Sequence, residues 1–313
     1  MPFCLAHVTD VHVTRVDTMR TRDYLGKRGG GAANAVLGRG RYGSDAILQA
    51  VARDVRDDPP DHVALTGDVT QLSLPAEFEG ARALVDSFGL PPDRVSVIPG
   101  NHDCYTAGVQ RDRLFERAFA PYLEGHPYPI LKVTDGVAVV GVTTAVPTPL
   151  LFATGTLGPE QLARLDDLLA RPDLSDKLVV LLVHHPVLRR VQKMNGRLRG
   201  LTDAEALLAI VARRHVDLIL HGHEHRRLRY TVPGLRGPCT VLCAGSASRL
   251  SAEKARGAQY NRYYIEGGRL ERVETREYDA GAGGFLPVKD VDVEHGMRIS
   301  EGADGEGADG RAA

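Results

Sequence analysis

A chain of 313 residues with 43% hydrophobic content can form one large α/β domain or two modest ones, and its core needs no staples. A formal net charge of −1 excludes attraction of the whole molecule to nucleic acid or anionic lipid. Four cysteines without a CxxC pair exclude a disulfide framework and a zinc knuckle.

Short apolar runs alternate with helix-like stretches, the pattern of α/β layering. Phe3–Thr9 reads as a first buried strand. The segment 15–42 is Gly-rich and basic, with Arg15, Arg20, Arg22, Lys27, Arg28, Arg39 and Arg41 against Asp17 and Asp23; it reads as a mobile loop or lid. The spacing then predicts a helix over Ser44–Val55 with Ser44 as N-cap, a strand over His62–Thr66 and a helix over Ala76–Phe88 after Pro75. Val95–Ile98 (strand), Arg111–Ala120 (helix), Val137–Thr143 (strand), Pro159–Ala170 (helix) and Leu178–Val183 (strand) follow. Thr202–Arg214 carries a capping-box pattern, Thr202 with Glu205 three residues on, before a strand at Asp217–Leu220. Beyond His225, Leu228–Val232, Cys239–Ala244, Tyr260–Glu266 and Arg269–Tyr278 alternate without helices between them and read as one antiparallel run. Residues 1–286 are expected to form a single catalytic domain, and the acidic, low-complexity stretch 287–313 a disordered tail. No apolar run reaches the roughly 18 residues that span a bilayer, and the first residues contain no secretory core, so the expected location is cytoplasmic.

Five short motifs occur in order, each at the end of a predicted strand: Asp10-Val-His12, Gly67-Asp68, Gly100-Asn101-His102-Asp103, His184-His185-Pro186 and Gly222-His223-Glu224-His225. Loops at the carboxyl ends of strands in an open α/β sheet converge on one rim, so residues far apart in sequence should meet there. Carboxylate, imidazole and amide oxygen make a mixed N/O donor set without thiolate, suited to Mn, Fe, Zn, Co or Ni. Seven such groups exceed what one tetrahedral ion takes, whereas two ions sharing one carboxylate would absorb them.

These motifs resemble the calcineurin-like metallophosphoesterases, whose pattern is D-x-H, G-D, G-N-H-[DE], a histidine near an H-x-P turn, and G-H-x-H. The resemblance implies a four-layer α/β/β/α sandwich of two mixed sheets flanked by helices. In that pattern the whole antiparallel run after His225 fits the second sheet. The resemblance also implies a binuclear centre of divalent or trivalent ions (Mn, Fe, Zn or Co). One ion would take Asp10, His12, Asp68 and His225, the other Asp68, Asn101, His184 and His223, with Asp68 bridging. Phosphoester hydrolysis follows, with a hydroxide shared by the ions as nucleophile. His102 would stabilise the phosphoryl oxygens or protonate the leaving alkoxide, and Asp103 would orient His102.

By analogy with compact members of that family, the expected substrate is a cyclic nucleotide or another small phosphodiester. The alternatives are a pyrophosphatase acting on a nucleotide-linked lipid of the UDP-diacylglucosamine type and a non-catalytic scaffold of the same fold. A second basic cluster, Arg189, Arg190, Lys193, Arg197 and Arg199, leaves the same rim as the 15–42 segment, and together they would favour a polyanionic or bulky phosphate ester. No nucleic-acid partner is expected, because tryptophan is absent and aromatic residues make up 5%. Peripheral membrane contact and oligomeric state are left open. His185 is assigned to packing beside the ligands, and His7, His62, His126, His215, His221, His295 and Cys104 to structure.

Overall fold

The computed structural model describes residues 2–24, 26–37, 44–123, 125, 127–188, 196–251, 257–288 and 294–295. The chain opens with strand β1 (Phe3–Val8), then helices α1 (Lys27–Leu37) and α2 (Asp45–Asp57). Strand β2 (His62–Thr66), helix α3 (Pro75–Asp86) and strand β3 (Val95–Ile98) follow. Three short helices, α4 (Ala107–Arg111), α5 (Leu114–Ala118) and α6 (Ala120–Leu123), lead into the hairpin β4 (Ile130–Thr134) and β5 (Val137–Gly141). Helix α7 (Pro159–Leu169), β6 (Leu178–Leu182), α8 (Gly196–Arg199), α9 (Ala204–Arg213) and β7 (Leu218–His221) complete the alternating part. The rest is β8 (Arg227–Val232), β9 (Cys239–Ala244), β10 (Gln259–Glu266), β11 (Arg269–Asp279), β12 (Gly284–Val288) and the short β13 (Glu294–His295).

Two mixed sheets form, ordered β12-β11-β10-β1-β2-β3 and β13-β8-β9-β7-β6-β5-β4. Side chains alternate across a strand, and the second sheet uses both faces. Val137, Val139, Leu178, Val180, Leu182, Leu218, Leu220 and Leu242 join the core shared with the first sheet. Their neighbours Ala138, Val140, Val179, Leu181, Ile219 and Val241 pack with Leu165 and Leu169 of α7 and Leu207 and Ile210 of α9. On the far side of the first sheet, α2 buries Ile47, Leu48, Val51 and Val55, one stripe at helical spacing, and α3 buries Phe78, Ala81, Leu84 and Val85. The layers are therefore helix, sheet, sheet, helix, as expected.

Parallel pairing in register brings the strand ends level. Val8 lies beside Leu65, Thr66 beside Ile98 and Leu182 beside Leu220. The loops after β1, β2, β3, β6 and β7 consequently leave from one rim.

Several expectations need correction. The strands after His225 do not form one antiparallel run: β8 and β9 extend the second sheet, β9 pairing parallel with β7, while β10 crosses over to pair antiparallel with β1. The helix expected over Arg111–Ala120 is broken, because Arg113 takes a left-handed backbone (φ 50°). The Thr202–Glu205 capping box does not form; the helix starts at Ala204, and the Thr202 hydroxyl donates to the Gly155 carbonyl. Asp203 at the cap accepts instead from the amides of Leu157 and Gly158. Ser44 stands before α2 without a side-chain capping bond. Most unexpected is the basic segment, which is helical over Val16–Thr18, Thr21–Tyr24 and Lys27–Leu37 and has its own apolar cluster of Ala32, Leu72, Leu74 and Tyr105. Arg39 and Arg41, the cluster Arg189 to Arg197, and the tail apart from 287–288 and Glu294–His295 lie outside the described residues or side chains.

The first sheet is tied to α2 by Arg262, 1% exposed on β10. Its guanidinium donates to the carbonyls of Asp58 (2.7 Å) and Asp54 (3.3 Å) at the C-terminal end of the helix, where unsatisfied carbonyls favour a cation. Arg262→Met should lower unfolding stability by about 2–4 kcal/mol, mainly through those stranded carbonyls, since the Asp58 carboxylate stays hydrated. Urea denaturation measures this, and an unchanged midpoint would contradict the tie.

Candidate metal centre

The first two motif loops are knitted by their backbones. The amides of Asp10, His12 and Val13 donate to the carbonyls of Gly67, Asp68 and Val69 at 3.0–3.1 Å. Ser246 and Ser248, after β9, donate their hydroxyls to the Asp10 carbonyl, and Ala247 donates its amide to Thr9. Sequence reasoning missed these two serines; their place at the carboxyl end of a strand was the available signal.

The local backbone is strained where function is expected. Among the described residues nine non-glycines have positive φ, and five of them are Asp10, His12, Asp68, His223 and His225. Each costs about 1 kcal/mol or more, held by the surrounding packing. The motif glycines have a matching steric reason. A Cβ on Gly100 would lie 2.3 Å from Asp68 Oδ1, and one on Gly222 would lie 2.1 Å from Thr9 Oγ1 and 2.6 Å from Asp10 Oδ2. Each loop is glycine where a carboxylate of another loop presses on it.

The seven expected ligand residues come together in two groups sharing Asp68. Donor atoms of Asp10, His12, Asp68 and His225 lie within 4.8 Å of one another, as do those of Asp68, His184 and His223. His225 Nε2 is 3.0 Å from Asp10 Oδ1 and 3.2 Å from His12 Nε2. In the second group, His184 Nε2 is 3.4 Å from Asp68 Oδ2 and 3.2 Å from Asn101 Oδ1, and His223 Nδ1 is 2.8 Å from that same amide oxygen. Nδ1 of His184 donates to the Thr66 carbonyl (2.7 Å), which turns Nε2 toward the group.

Asp10 and Asp68 are 0% and 2% exposed, and among the described residues their charged partners within 4 Å are imidazoles alone. Burial would raise both carboxyls, but His225 holds Asp10 below the ordinary value, and His184 with His102 holds Asp68 well below it. Burial would likewise lower His184, but the Asp68 charge outweighs it and lifts the ring to about 9. Burial drives His12 down to about 3, the neutral form in which an imidazole binds a metal. Convergent lone pairs around two buried anionic carboxylates fit a pair of cations, and the hard-to-intermediate donor set fits Mn, Fe, Zn or Co.

His102 sits half-buried at the edge, its ring 4.8 Å from that of His12. The expected orientation by Asp103 is not what the geometry contains. His102 Nδ1 donates to the Gln71 carbonyl (2.6 Å), while Asp103 turns away, accepting from the amides of Gly100, Val69 and Thr70 and from the Thr70 hydroxyl. Adjacent residues on a turn point apart, so Asp103 serves the loops and not the ring.

His185 is buried with Nδ1 2.7 Å from the Thr144 hydroxyl, its ring packed 4.8 Å from that of His223. His7 bridges the hydroxyls of Tyr263 and Thr66, His62 meets Ser96, His215 meets Asp217, and His221 donates to the Gly222 carbonyl. His126 and the His295 side chain lie outside the described set. Burial pushes the Cys104 thiol up to about 12, so it is not a ready nucleophile.

The family model described as calcineurin-like phosphoesterase matches residues 5–227. A probable cyclic nucleotide phosphodiesterase from Synechococcus is 30% identical over 178 residues, spanning 56% of this chain and 62% of that protein. Less than two thirds of that relative is therefore covered. A dimetal phosphatase structure from Danio rerio superposes with a TM-score of 0.57 at 14% identity, over 88% of this chain and 96% of that one. A purple acid phosphatase from yellow lupin seeds gives 0.57 at 12% identity, over 92% of this chain and 53% of that one. At such identities these two likenesses concern the fold.

Two outcomes are expected. Gly222→Ala should displace Asp10 and lower both metal content and turnover, the latter by about 100-fold, without loss of the far-UV spectrum; full metal loading would refute the steric reading. In chelator-stripped protein, the folded value of His184 lies above the unfolded value of about 6.5. Its stabilising pairing with Asp68 is then fully present below about pH 6.5 and lost as pH rises through about 9. The melting temperature should fall across that window, and a flat profile would remove the pairing.

Proposed function

Because the chain belongs to the calcineurin-like phosphoesterase family, we propose that it is a metal-dependent phosphoester hydrolase, and more closely a phosphodiesterase whose Asp68 carboxylate is shared between two ions. The observation that carries this reading is the membership of Asp68 in both ligand groups. Asp10, His12 and His225 would complete one coordination set, and Asn101, His184 and His223 the other. Once bound, the ions would supply the positive charge that activates a water and clamps phosphoryl oxygens.

The remaining work falls to side chains. Asp68 Oδ1 also accepts the His102 amide (2.7 Å), so the bridging carboxylate fixes the turn that presents the His102 ring. With Nδ1 committed to the Gln71 carbonyl, Nε2 is the atom that would carry a proton to the leaving oxygen. Asp103 holds the loops of the second and third motifs at a common spacing through four hydrogen bonds.

The 30% identity to a probable cyclic nucleotide phosphodiesterase supports a cyclic nucleotide or another small diester as substrate. A second reading, a pyrophosphate linked to a lipid, is favoured by one feature. Leu150, Leu151 and Phe152 are 56%, 82% and 42% exposed on a loop whose Thr148 is bonded by Lys27 of α1. Sedimentation with liposomes, native against Leu151→Ser, separates the two. No helix among the described residues is long and apolar enough to cross a membrane, and a cytoplasmic setting is part of the proposal.

With Mn, Fe, Zn or Co supplied in turn, bis-p-nitrophenyl phosphate should be turned over faster than p-nitrophenyl phosphate. Asp68→Ala and Asn101→Ala should each lose at least about 100-fold in turnover, more than the removal of a ligand's hydrogen-bond partner costs, with the circular dichroism spectrum kept. Retention of full activity by both variants would end the ligand assignment.

A further inference from the structure

The segment between the first two motifs is not accounted for by the ligand set, yet it docks on the loops behind His102. Tyr105 stacks on the His102 ring, centroids 5.5 Å apart with an interplanar angle of 29°. Tyr105 is in turn contacted by α1. Lys27 Nζ lies 4.4 Å from the Tyr105 ring centroid and donates to Thr148 Oγ1 (2.9 Å). A Cβ on Gly31 would come 2.5 Å from the Tyr105 hydroxyl and 2.6 Å from Leu72, so helix and ring are in direct contact.

Arg28, one residue after Lys27, reaches the loop that holds the other side of the imidazole. It donates to the Leu72 carbonyl (3.0 Å) and the Ser73 carbonyl (2.8 Å), and its remaining arm pairs with Asp23 (2.8 Å). Gln71, the acceptor for His102 Nδ1, immediately precedes those two carbonyls. Ser73 closes the circuit: its hydroxyl donates to the His102 carbonyl (2.5 Å) and accepts the Tyr105 amide (3.0 Å).

We propose that α1 is the positioning element for His102, acting through Tyr105 on the face of the ring and through Arg28 on the loop that holds Nδ1. A stacked aromatic limits rotation about the side-chain bonds, and a guanidinium fork fixes two successive carbonyls at once, so the imidazole is presented in one orientation. The basic character of the segment thereby acquires a specific use: Arg28 serves the fold of the rim, and Lys27 covers an aromatic ring.

This inference rests on the reading of His102 as a participant in turnover, and a double-mutant cycle keeps the two apart. Tyr105→Leu and Arg28→Gln are each measured in the native and in the His102→Ala background, with metal content and KM for bis-p-nitrophenyl phosphate recorded. Two variants are used because either could disturb folding on its own. In the native background each should lower kcat by about 10- to 100-fold at unchanged KM and unchanged metal content. In the His102→Ala background the further loss should shrink to within about 2-fold, since nothing is left to position. Equal losses in both backgrounds, no loss in either, or a rise in KM at constant kcat would overturn the proposal. Whether His102 is the leaving-group acid is judged separately, by comparing the cost of His102→Ala on a p-nitrophenyl diester with that on a dialkyl diester. Equal costs would remove the acid role and leave the cycle to decide the positioning.

Discussion

Two carboxylates, Asp10 and Asp68, are buried side by side at the rim where the loops of both sheets meet, and nearly everything local answers to that fact. Taking such charges out of water costs several kcal/mol each unless positive charge or hydrogen bonds compensate. Imidazoles surround them, and no arginine or lysine among the described residues pairs with either. A site of this kind is built for cations. The depressed carboxyls, the elevated His184 and the neutral His12 are consequences of the same crowding.

The backbone bears the cost of bringing those groups together. Left-handed backbone at Asp10, His12, Asp68, His223 and His225 turns the chain sharply beyond the strand ends, where these candidate ligands converge. Gly100 and Gly222 leave room for Asp68 and Asp10, and serines after β9 hold the first turn in place. Strain at these candidate ligands is thus offset by a dense set of hydrogen bonds between loops, to which Asp103 contributes four.

Much of this was legible in the sequence, for identifiable reasons. Val, Ile and Leu runs mark the strands of the alternating half because those strands are covered on both faces, and the five motifs name the residues that meet. The destination of β10 and β11 was not legible, since alternation reports a half-buried face and not which sheet supplies the partner. The fracture at Arg113 is a matter of one backbone torsion in a segment of ordinary helix formers. The docked α1 was hidden because its contacts use Gly31 and Ala32, residues whose small size reads as flexibility until the neighbour is known. Asp103 was misassigned for a similar reason: adjacency to His102 suggested contact, whereas the turn sends the two side chains apart.

In the proposed centre one carboxylate, that of Asp68, is shared by two ions. Anomalous scattering from crystals of manganese-loaded protein addresses it directly. Two peaks are expected, one on either side of the Asp68 carboxylate, with Asp10 reaching one and Asn101 the other. A single peak, or two peaks of which neither contacts Asp68, would contradict it.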